Sequence, residues 1–535
     1  MDEAQQKCLR SVKSVPKKVN RKMDEKNCEF LRKLYPVIRD YNGQLPNLRD
    51  IFRPGAIDWL LSESVKVDDD YDEDLDPPES EPLIDFVIAT GYTDEPDLDE
   101  EGKPLFRHTT AIHDVVRCYR RYLIPDLFKI YDKFDVNYTD EPDGLTHFHA
   151  ACEWGCDDVV KKFLELGQDP DCLPQEPNTT TVDPPLHKAL IEDRKEVVEL
   201  LLRSGANPNL TNNEGKTSLH WVRADEIGKM FFEIIDEMNQ PLQIDVRDQY
   251  GWTPLRDAVM SGSREWIELL LARGSDPNLS DEEGSTPLHY ICMSYDPEDD
   301  EKLAKIFFKS IDNMGLTLQV DVWNNLGQTP LQLAVANLMP NTIDILLNRA
   351  DLSSFVFPAE SYFGEDLKPW LEESQDDFKL RLASGVVAAV ENLEKRGYEL
   401  DRKDALTVMN FFSKHKLFEK SAKKVEELLI RPDLSLYDLI QLQHEEVTKQ
   451  LTHSDYVKLA SLYKRYYQHP KMNQESCAMH LCEKLSWRFF RRWALDPLLK
   501  LTHYRLPILC CEMIIEQLIN EDLYNICLAA EDQNS

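Results

Sequence analysis

The stretch EVVELLLRSGANPNL, residues 196–210, decides the fold, because a second copy of it, EWIELLLARGSDPNL, occupies residues 265–279. In both copies apolar residues recur at three- and four-residue steps, which predicts a helix with one buried face. A glycine follows each helix, at the position where a left-handed backbone ends a helix most easily. A longer duplication pairs the sequence from Lys229 with the sequence from Lys305. The chain is therefore predicted to contain duplicated helical repeats.

Short motifs mark the start of successive repeats, at steps of about 33 to 43 residues. They are TTAIH ending at His113, LTHFH at His149, PPLH at His187, TSLH at His220, TPLR at Arg256, TPLH at His289 and TPLQ at Gln332. A threonine at a helix start accepts a hydrogen bond from a free amide, and a proline in the first turn loses none. One repeat cannot bury its own faces, so we expect a stack from about residue 105 to 350, with PLIDFVIATG (82–91) as a cap.

These motifs and their spacing resemble the ankyrin repeat, whose units of about 33 residues begin with T-P-L-H. The resemblance implies an all-α solenoid of helix–turn–helix–turn units that holds a target protein on its concave face. In such arrays the residues near the turn glycines project toward that face. Here they are Lys216, Arg247, Tyr250, Trp252, Trp323, Leu326 and Gln328. Aromatic and arginine side chains dominate protein-binding energies, which favours target contact over incidental variation at the turns.

The rest of the chain lacks the repeat period. The predicted domains are an N-terminal helical and basic segment (1–62), an acidic linker (63–81), the repeat array (82–357), a helical domain (358–505) and a C-terminal motif (506–535). The linker is predicted from VDDDYDEDLDPPESE (67–81), which has too few apolar residues to order itself. The helical domain is predicted from aperiodic amphipathic patterns at 378–397, 403–415, 435–451 and 454–467.

The C-terminal motif, LPILCCEMIIEQLINEDL (506–523), predicts two amphipathic helices joined at a tight corner. Pro507 suits the first position of a helix, and Ile508, Cys511, Ile515 and Leu518 recur as one apolar face. Asn520 is expected to cap the second helix.

This stretch resembles an F-box, the module that docks substrate receptors on the Skp-type linker of a cullin-RING ubiquitin ligase. The resemblance assigns docking to Leu506, Pro507, Ile514, Ile515, Leu518, Asp522 and Leu523. Leu509 replaces the usual acid after the proline, and only twelve residues follow Leu523. Ankyrin repeats followed by a shortened F-box also resemble the PRANC architecture of poxvirus and insect proteins. The alternative is that the motif closes the helical domain by packing on Trp487, Phe489 and Trp493.

Composition excludes several classes of partner. A net charge of −35 argues against binding to phosphate backbones, so no nucleic acid is expected. No stretch approaches the length of a membrane span and the N-terminus has no apolar signal core, so no membrane partner is expected. The twelve cysteines are scattered, as free thiols in a reducing compartment are. The expected location is the cytoplasm, while the basic run RSVKSVPKKVNRK (10–22), otherwise a solvated tail, leaves nuclear entry open.

The sequence predicts no catalytic site, cofactor or metal. The repeat histidines occur once per repeat, too far apart to share a metal ion, and are interpreted as hydrogen-bonding groups between repeat loops. Denser clusters, His147–Cys156 and Cys477–Cys482, lack paired zinc-binding spacing and are interpreted as buried thiols and surface histidines. The acidic stretch 68–74 has Glu73 where a calcium loop needs glycine.

The predicted function is that of a non-enzymatic substrate receptor. The repeats would hold a target protein while the C-terminal motif docks on the Skp-type linker and places the target near the transferring enzyme. The alternative is an ankyrin scaffold or inhibitor that masks a signalling or transcription protein without a ligase. An enzyme ranks third, because it requires a catalytic set that the sequence does not show.

Overall fold

A computed structural model describes the protein. Its described residues are 38, 45, 47–52, 54–66, 81–140, 143–172, 182–293, 302–364, 375–418, 429–431, 434–435, 455 and 474–532. The basic run at 10–22, the acidic stretch at 68–74 and the helices predicted at 435–451 and 454–467 lie wholly or almost wholly outside them. The chain divides into two compact units, residues 1–273 and residues 274–535. This division falls within the repeats, not at the predicted boundary after residue 357.

The first unit is built from helices joined by turns. In chain order they are α1 (Leu48–Ile51), α2 (Pro54–Lys66), α3 (Pro82–Ala89), α4 (Ala111–Arg117), α5 (Ile124–Ile130), α6 (His147–Trp154), α7 (Asp157–Glu165), α8 (Pro185–Ile191), α9 (Lys195–Arg203), α10 (Asp225–Met238), α11 (Pro254–Ser261) and α12 (Arg264–Ala272). Short 3-10 helices cover Arg121–Leu123 and Ser218–His220. Helix pairs such as α6–α7 and α8–α9 therefore follow the predicted repeat starts.

The repeat helices begin and end where the sequence predicts. Thr253 caps α11, since its side-chain oxygen accepts a hydrogen bond from the Arg256 amide at 3.3 Å. The quoted stretch forms α9, which buries Val197, Val198, Leu201 and Leu202. Gly205 follows with φ +92°, a left-handed backbone that glycine adopts without strain. The apolar period and the glycine position therefore both determine this helix.

Helix α2 covers the first repeat, packing against α4. It buries Leu60, Leu61 and Val65, and the Lys66 ammonium lies 3.1 Å from the Asp114 carboxylate of the neighbouring helix. The sequence places residues 63–66 in the acidic linker, and this boundary is wrong because α2 continues through Lys66. The buried apolar face of α2 extends to Val65, which lies inside the linker predicted from the acidic composition.

The second unit continues the repeats and adds further helices. It contains α13 (Pro287–Met293), α14 (Lys302–Met314), α15 (Pro330–Ala336), α16 (Pro340–Leu346), α17 (Gln375–Lys395), α18 (Arg402–Lys414), β1 (Leu429–Arg431), β2 (Leu434–Ser435), α19 (Gln474–Leu501), α20 (Ile508–Ile515) and α21 (Asn520–Asp532). A short 3-10 helix covers Leu352–Ser354. The strands β1 and β2 form an antiparallel hairpin, which the all-α prediction did not include.

The long helix α19 organises the C-terminal helices, because α17, α20 and α21 all pack against it. Leu523 and Cys527 of α21 are buried, and Phe490 of α19 meets Phe412 of α18 edge to face at 5.4 Å. Asn520 does not serve as the predicted cap. Its amide group instead donates to the Glu483 carbonyl and the Ser486 hydroxyl of α19, at 3.1 and 3.0 Å.

Two of the repeat histidines, His220 and His289, hydrogen-bond to the neighbouring repeat, as predicted. The Thr217 amide donates to Nδ1 of His220 at 3.0 Å, and Nε2 of that ring donates to the Trp252 carbonyl of the next turn at 3.2 Å. In the second unit His289 makes the same pair of bonds, with the Thr286 amide at 3.0 Å and the Gln328 carbonyl at 3.2 Å. An amide donor at Nδ1 requires the neutral ring with its proton on Nε2. Each such histidine therefore needs to stay uncharged.

His187 lacks both of these bonds. Its repeat begins with Pro184 where the others carry threonine, so the amide donor for Nδ1 is missing. The ring is fully buried and neither nitrogen makes a hydrogen bond of normal geometry, although a weak interaction with the Leu210 backbone partly offsets the lowering of its pKa by burial.

We expect His289→Leu to lower the free energy of unfolding of the second unit by about 1 to 2 kcal/mol, because it leaves the buried Thr286 amide without its hydrogen-bond acceptor. The matched substitution His187→Leu is expected to leave the stability of the first unit unchanged or slightly higher, since it removes buried polar atoms that make no hydrogen bond of normal geometry. Urea denaturation followed by hydrogen exchange of peptides from each unit measures both. Equal losses in the two variants would contradict this difference.

Candidate protein-binding surfaces

The turns between repeats are held by one acidic or amide side chain each. The Asp248 carboxylate accepts hydrogen bonds from the Tyr250 and Trp252 amides, both at 2.9 Å. Asn324 holds the Leu326 and Gln328 amides in the same way, at 3.1 and 2.9 Å. Asn212 and Asp281 repeat the arrangement in their turns. The spacing Asp/Asn-x-x-Gly-x, visible in the sequence, is therefore the signal that fixes these backbones.

Adjacent turns also bond to each other. In the first unit the Gln249 amide donates to the Glu214 carbonyl at 2.7 Å, and in the second unit the Asn325 amide donates to the Glu283 carbonyl at 2.8 Å. Each turn therefore presents its side chains from a fixed backbone, as a binding surface requires.

In the first unit the predicted contact residues form an aromatic and cationic cluster around Trp252. The Arg256 guanidinium lies 3.7 Å from the Trp252 ring centre, and the Tyr250 ring stacks on that indole at 4.8 Å. The Lys216 ammonium lies 4.8 Å from Trp221 and 5.8 Å from Trp252. Sequence analysis missed Trp221 and Arg256, because it considered only residues near the turn glycines. Arg256 ends a repeat-start motif and Trp221 directly follows one.

The predicted contact residues differ in exposure. Arg247, Tyr250, Trp323 and Leu326 are exposed, Leu326 to 76%. Lys216, Trp252 and Gln328 are only half-buried, because they pack against neighbouring side chains or turns. These three are better placed to hold the surface than to project from it.

The surface of α20 is the most apolar exposed region at the C-terminus. Leu509 and Met513 are 72% and 66% exposed, although leucine and methionine usually lie inside a fold. The set comprises Leu506, Ile508, Leu509, Met513, Ile514 and Ile519, and we call it the apolar C-terminal surface. Contiguous exposed apolar residues of this kind typically mark an interaction site.

The structure divides the predicted docking residues into two groups. Leu506, Pro507, Ile514 and Asp522 are exposed, and Leu518 is half-buried. Ile515 and Leu523 are buried within their own unit, at 1% and 0% exposure, so their predicted contact with a partner is wrong. The predicted apolar face also included Ile508, which is exposed, whereas the buried residues of α20 are Cys511 and Ile515.

Conversely, the exposed Ile508, Leu509, Met513 and Ile519 were absent from the predicted docking set. Helical periodicity identifies an apolar stripe but does not say which side of an almost wholly apolar helix faces the core. The sequence contained one signal for which side of α20 is exposed, because Leu509 stands where the F-box pattern has an acidic residue.

The cluster from His147 to Cys156 begins in α6, and its two histidines are buried, so the prediction that they lie at the surface is wrong. Burial raises the pKa of Cys156 to about 12, so its thiol stays protonated, and burial lowers the pKa of His149 to about 3. Over the described part of the chain, no group of three or more His, Cys, Asp or Glu side chains is arranged to hold a metal ion. Within the same residues, no helix is long and apolar enough to cross a bilayer.

Capped helix pairs whose joining turns are held by side chains define a helical-repeat protein. The repeats are ankyrin repeats. Family models described as ankyrin repeats (3 copies) match residues 186–281 and 267–355, and one described as ankyrin repeats (many copies) matches residues 148–202.

Individual relatives share parts of the chain. The nuclear factor NF-kappa-B p105 subunit of Gallus gallus is 34% identical over 20% of this chain and 11% of its own length. The E3 ubiquitin-protein ligase KEG of Arabidopsis thaliana is 24% identical over 49% of this chain and 18% of its own length. Among solved structures, the ankyrin repeat domain of Bcl-3, an IkappaB family member, matches at 22% identity and a TM-score of 0.33, covering 45% of this chain and 99% of that one. The chain spans only 8% to 25% of the length of four curated relatives that it matches.

Proposed function

We propose that the protein is a substrate receptor of a cullin-RING ubiquitin ligase. Its ankyrin repeats bind a target protein, and its apolar C-terminal surface docks on the Skp-type linker, as in PRANC proteins. The observation that carries the proposal is the exposure of Leu509 and Met513 on α20, a helix whose opposite side is already packed on α19. A helix that only covered a core would have no reason to place leucine and methionine in solvent.

The repeat surface supplies the other half of this role. Tyr250, Trp323 and Leu326 are exposed on turns whose backbones are fixed by Asp248 and Asn324. Binding a target by one surface and a ligase by another raises the local concentration of the target at the transferring enzyme. The receptor contributes placement and no chemistry of its own.

A second candidate is an ankyrin scaffold or inhibitor that masks its target without a ligase. It is favoured by the burial of Cys511, Ile515 and Leu523, which shows that the C-terminal helices also complete the packing of the second unit. Because these residues are buried, truncating the chain after Tyr504 would not distinguish the two functions. Removing α21 would expose α19 and destabilise the unit.

We expect Leu509→Glu combined with Met513→Glu to abolish binding to a purified Skp-type linker, measured by titration calorimetry, while the unchanged protein binds at micromolar or tighter affinity. Both side chains are exposed, so the substitutions should leave the melting temperature within about 2 °C. A charge placed in the centre of an apolar interface costs enough to remove measurable binding.

The matched control is Leu326→Glu, which places the same charge on an equally exposed leucine of a repeat turn and should bind the linker like the unchanged protein. If the unchanged protein fails to bind the linker, the ligase role is wrong and the scaffold becomes the function to test.

A further inference from the structure

Three consecutive turns of the second unit carry acidic residues and no base. They cover residues 281–285, 321–328 and 351–356, and their acids are Asp281, Glu282, Glu283, Asp321 and Asp351. The Asn325 side chain donates to the Glu282 carbonyl at 2.8 Å, and the Asp351 amide donates to the Asp321 carboxylate at 3.1 Å. These bonds hold the three turns side by side.

The acid before the turn glycine is unpaired in the first of these turns. Two other turns of the same pattern pair this acid with a lysine that follows the glycine, Glu101 with Lys103 at 2.8 Å and Glu214 with Lys216 at 3.1 Å. Here Ser285 takes the place of the lysine. Glu282 and Glu283 are exposed, and among the residues that the structure describes their carboxylates make no ion pair or hydrogen bond. This turn therefore presents two unbalanced negative charges.

Exposed apolar side chains accompany these charges. Trp323, Leu326 and Val356 are 49%, 76% and 60% exposed. Gln332 donates to the Val356 carbonyl at 2.9 Å, as His289 does to the Gln328 carbonyl, so Val356 is the counterpart of Gln328 on the last turn. Exposed apolar residues on adjacent turns typically mark an interaction site. We define the acidic turn surface as Glu282, Glu283, Asp321, Trp323, Leu326 and Val356.

We propose that the acidic turn surface binds a basic segment of the target protein. An apolar side chain of that segment packs on Trp323 and Leu326, and flanking arginines or lysines pair with Glu282 and Glu283. Charge complementarity favours this occupant, because the three turns have no base, repel an acidic segment and attract a basic one.

The corresponding turns of the first unit differ, since they carry Lys216 and Arg247. The acidic turn surface therefore gives the second unit a preference in charge that those turns lack. This inference rests on the target-binding half of the proposed function, and it does not depend on linker docking.

The test measures fluorescence anisotropy of the full chain with a fluorescein-labelled peptide in which leucine is flanked by two arginines on each side. Glu282→Gln combined with Glu283→Gln is expected to weaken binding at least about fivefold, because two ion pairs are lost. The matched control is Glu100→Gln with Glu101→Gln, the same change in an identical Asp-Glu-Glu-Gly sequence at residues 99–102. The control should weaken binding less than about twofold, because it alters only the long-range field.

Two further substitutions separate the contributions of the surface. Trp323→Ala removes an exposed aromatic contact and should weaken binding at least about tenfold. Gln328→Glu adds a negative charge beside Leu326 and keeps the oxygen that accepts a hydrogen bond from Asn324. It should strengthen binding several-fold, a gain that misfolding cannot produce. With the unchanged chain, replacing the peptide arginines by glutamine should weaken binding at least about tenfold, and added salt should weaken it progressively.

Several outcomes would overturn the proposal. Equal losses in the two glutamate pairs would indicate only the net charge of the chain, and equal binding of the glutamine peptide or no binding of the arginine peptide would remove the site. If Lys17→Glu combined with Lys18→Glu raised the affinity for the peptide, the chain's own basic run would be the occupant. If Trp323→Ala converted a dimer to a monomer in size-exclusion chromatography, a second copy would be.

Linker calorimetry is independent of these results. A chain that binds the peptide as described but not the linker keeps this inference and loses only the ligase role. A chain that binds the linker but fails the peptide test loses only this inference.

Discussion

Acidification from pH 7 to pH 5 is expected to unfold the first unit, because its buried histidines must remain neutral. Burial lowers the pKa of His113, His149 and His187 to about 3 and that of His147 well below its ordinary value. In the unfolded chain each imidazole has a pKa near 6.5 and takes up a proton that the folded state excludes. Stability is therefore complete above pH 6.5 and is lost as the pH falls from there toward the folded pKa.

The size of the effect follows from the same linkage. Each of these four histidines costs about 2 kcal/mol between pH 7 and pH 5, so together they remove about 8 kcal/mol from a typical stability of about 5 to 15 kcal/mol. His108 acts in the opposite sense, since its hydrogen bond to Asp58 raises its pKa and contributes stability in acid. The stability that this one raised pKa contributes in acid is smaller than the stability that the four lowered pKa values remove.

Urea denaturation at pH 7, 6 and 5, followed by hydrogen exchange of peptides from each unit, measures the loss. The repeat starts of the second unit carry one histidine, His289, whose pKa burial also lowers, so that unit is expected to lose less stability. The same pH dependence in both units would show that the buried histidines are not the cause.

The sequence identified the repeats well because several local signals agree there. The duplication around residues 196–210 and 265–279, the threonine caps and the glycine after each second helix all indicate the same unit. Even the asparagine that follows the proline in each copy makes the same contact. The amides of Asn209 and Asn278 donate to the Pro241 and Thr317 carbonyls, at 2.7 and 2.8 Å.

Sequence reasoning was weaker where the outcome depends on packing between distant segments. It could not tell which side of α20 faces α19, because Leu509 and Ile515 are equally apolar and differ only in what lies opposite. Sequence analysis also placed the end of the N-terminal helical segment before the end of α2. The acidic run that follows this helix does not indicate where its apolar face stops.

A second large effect is expected at Gly228 of α10. A Cβ atom at this position would lie 2.6 Å from the Trp266 ring, closer than side chains tolerate. Trp266 is fully buried and its ring lies 5.0 Å from that of Phe232, so it has little room to move. We expect Gly228→Ala to lower the free energy of unfolding of the first unit by about 3 kcal/mol, although alanine favours a helix elsewhere. Chemical denaturation at pH 7 measures the loss.

The internal duplication supplies the control. The second copy carries Ala304 at the position of Gly228 and Thr342 at the position of Trp266, and both residues are buried there. Ala304→Gly is therefore expected to cost only the usual helix penalty of about 1 kcal/mol. The contact itself is tested by adding Gly228→Ala to Trp266→Thr, where the missing ring leaves room for the methyl group. In that background the added methyl should cost nothing or stabilise slightly, so a penalty of the same size as in the unchanged protein would mean that the tryptophan ring is not the reason for the glycine.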